Sequence, residues 1–190
     1  MDLVNACERG NIARVKELLQ QGADPTFEQS LSILRASVYG RTDIVELLLQ
    51  DGRADPSPFR NHTIRVASEN GHIDVVKLLL QDSRIDPSDY WNQSIQMASY
   101  NGHIKVVELL LQDNRVDPTA NDYFAIKQAS SRGHIKVVEA LLQDGRVDPT
   151  AYDWAIRYAK TQEIKEMLIA YKYRVDGPEY VKAKTNIAPT

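Results

Sequence analysis

Apolar residues in this chain come in blocks that return at a fixed interval. In one block, Ile73, Val75, Val76, Leu78, Leu79 and Leu80 form a wide apolar face, while Asp74, Lys77 and Gln81 fall at i, i+3 and i+7 on a polar stripe. That is the period of an amphipathic helix, about 3.6 residues per turn. A shorter helix precedes it, carrying Ile64 and Ala67, and the pattern recurs as Ile95/Ala98 and Ile126/Ala129. Gly71 stands between the two helices. Glycine reaches the left-handed backbone of a helix end cheaply, so the pair is expected to fold back on itself.

Three markers lock the blocks to one period. Asp-Pro occurs at 24–25, 55–56, 86–87, 117–118 and 148–149, every 31 residues. Gly10, Gly40, Gly71, Gly102 and Gly133 follow the same spacing to within one residue, as do Ala6, Ala36, Ala67, Ala98, Ala129 and Ala159. YGRTDIVELLLQDGRADP, NGHIDVVKLLLQDSRIDP, NGHIKVVELLLQDNRVDP and RGHIKVVEALLQDGRVDP align without gaps. The 190 residues thus hold about six units, with the first and last degenerate. The second helix of each unit is expected to end at Gly22, Gly52, Ser83, Asn114 or Gly145. The next helix should open near Ser30, Asn61, Asn92, Asp122 or Asp153, all favourable N-cap residues. Neither helix can bury its apolar face alone, so the units must stack into an all-α solenoid with one continuous core.

The run A-S-x-x-G-H-I-x-V-V-x-L-L-L-Q-D-x-R-V-D-P resembles the ankyrin repeat over residues 1–172, and LLQQGADP at 18–25 matches the family's L-L-x-x-G-A-D most closely. The resemblance implies an ankyrin-type α-solenoid of helix-turn-helix repeats. The family's T-P-L-H is absent, and the 31-residue period is shorter than its usual 33. The missing residues lie between Asp-Pro and the next helix, so short irregular fingers are expected in place of full β-hairpins. This Asp-Pro variant is similar to arrays from protists and from large viruses of amoebae. Residues 173–190 break the period and are expected to form a C-terminal tail, since Asp176-Gly177-Pro178 stops a helix.

Composition narrows the function. The net charge is −3, with 43% hydrophobic and 26% charged residues, so a general nucleic-acid or anionic-membrane binder is disfavoured. Cys7 is the sole cysteine, which excludes an intrachain disulfide and a multi-cysteine zinc site. No apolar run approaches the ~20 residues of a membrane helix, and the first residues lack a secretory pattern. A cytoplasmic protein is expected, in host cytoplasm or nucleus if viral.

Candidate chemistry is thin. His72, His103 and His134 recur at one position per unit, but packed helices sit ~8–10 Å apart, too far to share a zinc ion. They read as capping and packing residues. The Asp-Pro aspartates repeat in every unit and read as turn holders. Cys7 occupies the slot of Ser37, Ser68, Ser99 and Ser130, where a small side chain suits close packing. There is no phosphate loop, nucleophile elbow or zinc-protease motif. The chain reads as a non-enzyme without metal or cofactor.

Informative positions are those that vary while the scaffold repeats. Two zones do so: the loop before each first helix and the positions before each turn glycine. They contribute the candidate partner-binding residues Phe59, Arg60, Glu69, Asn70, Tyr90, Trp91, Tyr100, Asn101, Asp122, Tyr123, Arg132, Tyr152 and Trp154. By the family resemblance both zones line the concave side. Trp91, Tyr100, Tyr123 and Tyr152 are the rings expected to be exposed, while one ring per loop, just ahead of the Ile, packs between units. The function implied is non-catalytic recognition of an unidentified protein partner by a monomer, as adaptor, inhibitor or scaffold. A self-associating array is the alternative, followed by nucleic-acid or metal binding.

Overall fold

The computed structural model describes residues 2–147 and 152–176. Twelve helices follow one another there, and no strand occurs among the described residues. They pair as α1 (Asp2–Arg9) with α2 (Ile12–Gln20), α3 (Phe27–Val38) with α4 (Thr42–Asp51), and α5 (Pro58–Glu69) with α6 (Ile73–Leu80). The remaining pairs are α7 (Asp89–Asn101) with α8 (Ile104–Leu111), α9 (Ala120–Arg132) with α10 (Ile135–Asp144), and α11 (Tyr152–Arg157) with α12 (Gln162–Asp176). First helices pack on first helices in one layer and second helices on second helices in another. The result is the α-solenoid that the period predicts. Asp148-Pro149 and the tail from 177 onward lie outside the described residues, and α12 itself runs to Asp176.

Side-chain size sets how closely each layer packs. The first helices meet through Ala36-Ser37, Ala67-Ser68, Ala98-Ser99 and Ala129-Ser130, all buried. Cys7 fills the same slot at 0% exposure, and burial pushes its thiol up to about 12, which leaves it protonated and unreactive. The hydroxyls of Ser37, Ser68 and Ser99 have no partner, so this slot selects volume rather than a hydrogen bond. The second helices meet through bulkier residues, such as Val75, Val76 and Leu79 or Val106, Val107 and Leu110, all buried. Each such side chain contributes about 1.5–3 kcal/mol by leaving water.

Three rows of polar contacts tie each unit to the one before it. His72, His103 and His134 donate from Nε2 to the carbonyls of Val38, Glu69 and Tyr100, at 2.9, 2.9 and 3.0 Å. Each ring also lies against the turn glycine of the preceding unit. Arg41 takes this place at one end of the row, bonding the Glu8 carbonyl at 3.2 Å, and Lys160 takes it at the other, over Gly133. That register puts Ala155, which is fully buried, in the slot of Ala129, and Ala159 in the slot of the turn glycine. The sixth alanine of the repeat is therefore Ala155 rather than Ala159, because the last unit has lost residues before α12.

The second row is built on arginine. Arg84, Arg115 and Arg146 donate to the carbonyls of Ala54, Ile85 and Val116, at 3.0, 2.8 and 2.6 Å. Each also grips the aspartate two residues earlier. The hydrogen bonds from Arg84 and Arg115 hold the Asp82 and Asp113 carboxyls below the usual carboxylate range. A depressed folded-state value stabilises the fold above the unfolded value of ~3.9, and this is lost as pH falls through the folded value. The contribution of these pairs to the urea midpoint should therefore be constant from pH 7 to 5 and fall below about pH 4. Asp113→Asn should remove part of that acid slope at a cost of about 1 kcal/mol or less at pH 7, since the pair is partly solvated.

Two local expectations are corrected. Helices α6 and α8 stop at Leu80 and Leu111, ahead of Ser83 and Asn114. Neither Ser83 nor Asn114 has a positive φ, whereas Gly52 and Gly145 do, at 76° and 80°. Without glycine the left-handed cap costs about 1–2 kcal/mol, so the chain closes with short turns such as Gln81 N–H to the Leu78 carbonyl. The second correction concerns Ser30, Asn61 and Asn92, which do not cap the following helix. They form the third row: Ser30 Oγ, Asn61 Oδ1 and Asn92 Oδ1 accept the N–H of Asp55, Asp86 and Asp117 in the next unit, at 2.8, 3.0 and 2.7 Å.

Candidate recognition surface

The fingers are built in two steps. The Asp-Pro carboxylate first accepts both the N–H and the hydroxyl of the Ser or Thr two residues on: Asp86 holds Ser88 at 2.9 and 2.6 Å, and Asp117 holds Thr119 at 2.8 and 2.7 Å. Three residues in succession then turn left-handed: Glu28-Gln29-Ser30, Phe59-Arg60-Asn61, Tyr90-Trp91-Asn92 and Asn121-Asp122-Tyr123. This compact turn replaces a hairpin. Among residues with a side chain asparagine is one of those that tolerate it best, and Asn61 and Asn92 supply the inward residue. The first two residues of each turn point outward and the third inward.

That geometry sorts the candidate residues. Phe59 and Trp91 are 55% and 68% exposed, and Tyr90 is exposed beside them. The Tyr90 and Trp91 rings lie 5.0 Å apart, tilted at 40°. The guanidinium carbons of Arg60 and Arg65 stand 5.6 and 4.7 Å from the Tyr90 centroid, within cation–π range. Phe59, Arg60, Tyr90 and Trp91 therefore form one island across two neighbouring fingers, with Arg65 bracing it from α5. Arg65 donates to the Phe59 carbonyl at 2.9 Å and to Gln93 Oε1. Burial lowers the pKa of Arg65 and of the adjacent His62.

Tyr100 and Tyr123 are not the exposed rings expected. Tyr100 is half-buried with the Arg132 guanidinium 3.3 Å from its centroid. Tyr123 is the inward residue of its turn and packs against the core, while Asn121 and Asp122 face outward. Phe124, closer still to Ile126, is only half-buried. Glu69, Asn70, Asn101 and Arg132 are exposed ahead of the turn glycines, and Asn101 Nδ2 donates to the Glu69 carbonyl at 2.9 Å. Asp122 is fixed by Lys127 at 2.6 Å.

The last unit carries a second island. Trp154 lies on α11 rather than in a loop, stacked on Tyr158 at 4.5 Å, with Lys127 Nζ 5.6 Å from its centroid. The Tyr152 side chain lies outside the described residues. Tyr158 was missed in the sequence. Its equivalence to Asn101 and Arg132 becomes visible only once Lys160 is aligned with the histidines. Arg65 was missed as well, since a mid-helix arginine gives no sign that it braces a neighbouring finger.

No group of three or more histidine, cysteine, aspartate or glutamate side chains suited to a metal ion occurs among the described residues. No described helix is long and apolar enough to cross a membrane. Stacked helix pairs that present a row of variable rings and charges define a repeat scaffold of the binding type. The family model for Ankyrin repeats (3 copies) matches residues 3–90, 64–153 and 94–177, and the chain belongs to that family. A search of curated proteins finds no match. Ankyrin repeats are in general protein–protein interaction modules and typically lack catalysis.

Proposed function

We propose that the chain is a non-catalytic adaptor, inhibitor or scaffold that binds a protein partner on its concave face, where the fingers and first helices meet. The small Ala-Ser pairs let the first helices pack more closely than the second ones, a difference that favours a bend of the stack toward the finger side. One observation carries the reading: the Phe59, Arg60, Tyr90 and Trp91 island stands in solvent on turns strained into the left-handed region. Rings and arginines are the residues that most often dominate protein interfaces, and core packing does not require them here. A stacked array presents them at little ordering cost.

The test is affinity capture from the native cell, comparing wild type with the Phe59→Ser/Trp91→Ala variant. Because both side chains are exposed, the melting temperature should move by no more than about 2 °C. A partner held by the wild type should be lost by the variant, with affinity reduced by about 30-fold or more. Equal retention on both would overturn the reading. Dimerisation abolished by the same variant would transfer the surface to self-association.

A further inference from the structure

We propose that the partner segment seated along α7 is extended and acidic, with two carboxylates about three to five residues apart, one on Arg60 beside Trp91 and the other on Arg132. This inference rests on the interface proposed above and specifies its ligand.

The argument begins with uncompensated charge. Arg60 and Arg65 share the Tyr90 ring, and each cation disfavours the other. The hydrogen bonds of Arg65 go to Gln93 and the Phe59 carbonyl, while its buried Nε has no partner. Asp89 and Glu69 act on Arg65 only from a distance. The Asp89 carboxylate is already occupied by Asn61 Nδ2 at 2.9 Å and by the Tyr90 N–H at 2.6 Å. Among the described residues, Arg60, Arg65 and Arg132 make no ion pair, whereas Lys127 and Lys172 pair with Asp122 and Asp153. A carboxylate entering beside Arg60 would meet two cations and relieve their repulsion.

Geometry makes the two outer arginines receptive. Arg60 and Arg132 are exposed, and each has its guanidinium set on a tyrosine ring, with no hydrogen bond from it to the rest of the described chain. Their N–H forks are thus oriented and free, the arrangement that binds carboxylates bidentately. Tyr90 and Tyr100 mark the two ends of α7. The regular helix between them, from Gln93 to Tyr100, rises about 10 Å at ~1.5 Å per residue, and the left-handed turn of Tyr90, Trp91 and Asn92 brings the span to at most about 15 Å, which an extended chain at ~3.3 Å per residue covers in about three to five residues. The Trp91 ring at the first end offers an apolar shelf. Glu69 is an exposed acid on the unit before Tyr100, and it steers the second carboxylate toward Arg132 on the unit after. Glu69, Asp89 and Asp122 interrupt the cations, so the face lacks the continuous positive track that a nucleic-acid backbone needs.

The experiment is fluorescence anisotropy with labelled twelve-residue peptides. Each carries one Leu and two Glu separated by one to seven Ser or Thr residues. Saturable binding should be tightest with about two to four residues between the two Glu. It should weaken about tenfold or more when both Glu become Gln, and about tenfold in Arg60→Gln and in Arg132→Gln. Glu69→Gln should strengthen it. Absence of saturable binding up to millimolar peptide, equal binding of the Gln peptide, or tighter binding of oligouridine than of any peptide would each overturn the assignment. The two readings fail separately. A cellular partner lost by Phe59→Ser/Trp91→Ala yet unaffected by both arginine variants sinks the acidic segment and leaves the interface standing. A partner indifferent to every one of these changes sinks both.

Discussion

Gly71→Ala should destabilise the array by about 3 kcal/mol. Gly71 sits at φ +74°, where an added Cβ would lie 2.6 Å from His103 Nδ1. Two costs combine. A side chain in the left-handed region costs about 1–2 kcal/mol. The His103 ring must also move, and it is anchored by its 2.9 Å bond to the Glu69 carbonyl. Losing that bond between units adds about 1–2 kcal/mol. Urea denaturation followed by circular dichroism measures the sum. Gly71→Ala/His103→Ala isolates the clash, because the second substitution clears the space while the backbone strain remains. The double variant should be less destabilised than the two single changes added together, by about 1 kcal/mol. A loss below 1 kcal/mol for Gly71→Ala alone would mean that the histidine row is not rigid.

Asn61→Ala should cost about 3 kcal/mol, and Asn61→Gly about 1 kcal/mol less. Asn61 joins two units. It belongs to the second finger turn, accepts the Asp86 N–H at 3.0 Å, and donates to Asp89 at 2.9 Å. It does so at φ +54° and 6% exposure. Alanine loses both hydrogen bonds, leaves the Asp86 N–H without its partner, and tolerates the backbone poorly. Glycine has the same hydrogen-bond loss without the backbone penalty. The gap between the two variants in urea denaturation therefore reads the strain stored in the finger. Equal destabilisation by alanine and glycine would show that the left-handed turn is unstrained. An effect under 1 kcal/mol for both would show that the asparagine row does not couple the units.

Ala67, Ser68, Val75, Val76 and Leu79 were placed in the core from their spacing alone, since helical periodicity is local and five-fold repetition removes its ambiguity. The turn at Gly71 and the structural role of the histidines were legible for the same reason. The asparagines were misread as helix caps. Their residue type suits a cap, but their hydrogen bonds run to the next unit, 25 residues away. Tyr100 and Tyr123 were expected in solvent, because a varying aromatic near either end of a helix looks the same whether it faces out or in. The left-handed turn decided between them, turning Tyr90 and Trp91 outward and Tyr123 inward.

The amino-acid order by itself settled the unit: two short amphipathic helices, a glycine turn between them, and an interval of 31 residues that obliges each unit to cover its neighbour. Only the stacked structure decided the surface. Hydrogen bonds across 25, 30 and 34 residues join each unit to the next, and their joint geometry sets the finger conformation. Ring-on-guanidinium contacts such as Arg60 on Tyr90 and Arg132 on Tyr100 likewise form between units. A repeated local pattern can specify what each unit is. Which side chains it offers to a partner depends on the unit beside it, because that neighbour holds the turn from which they project.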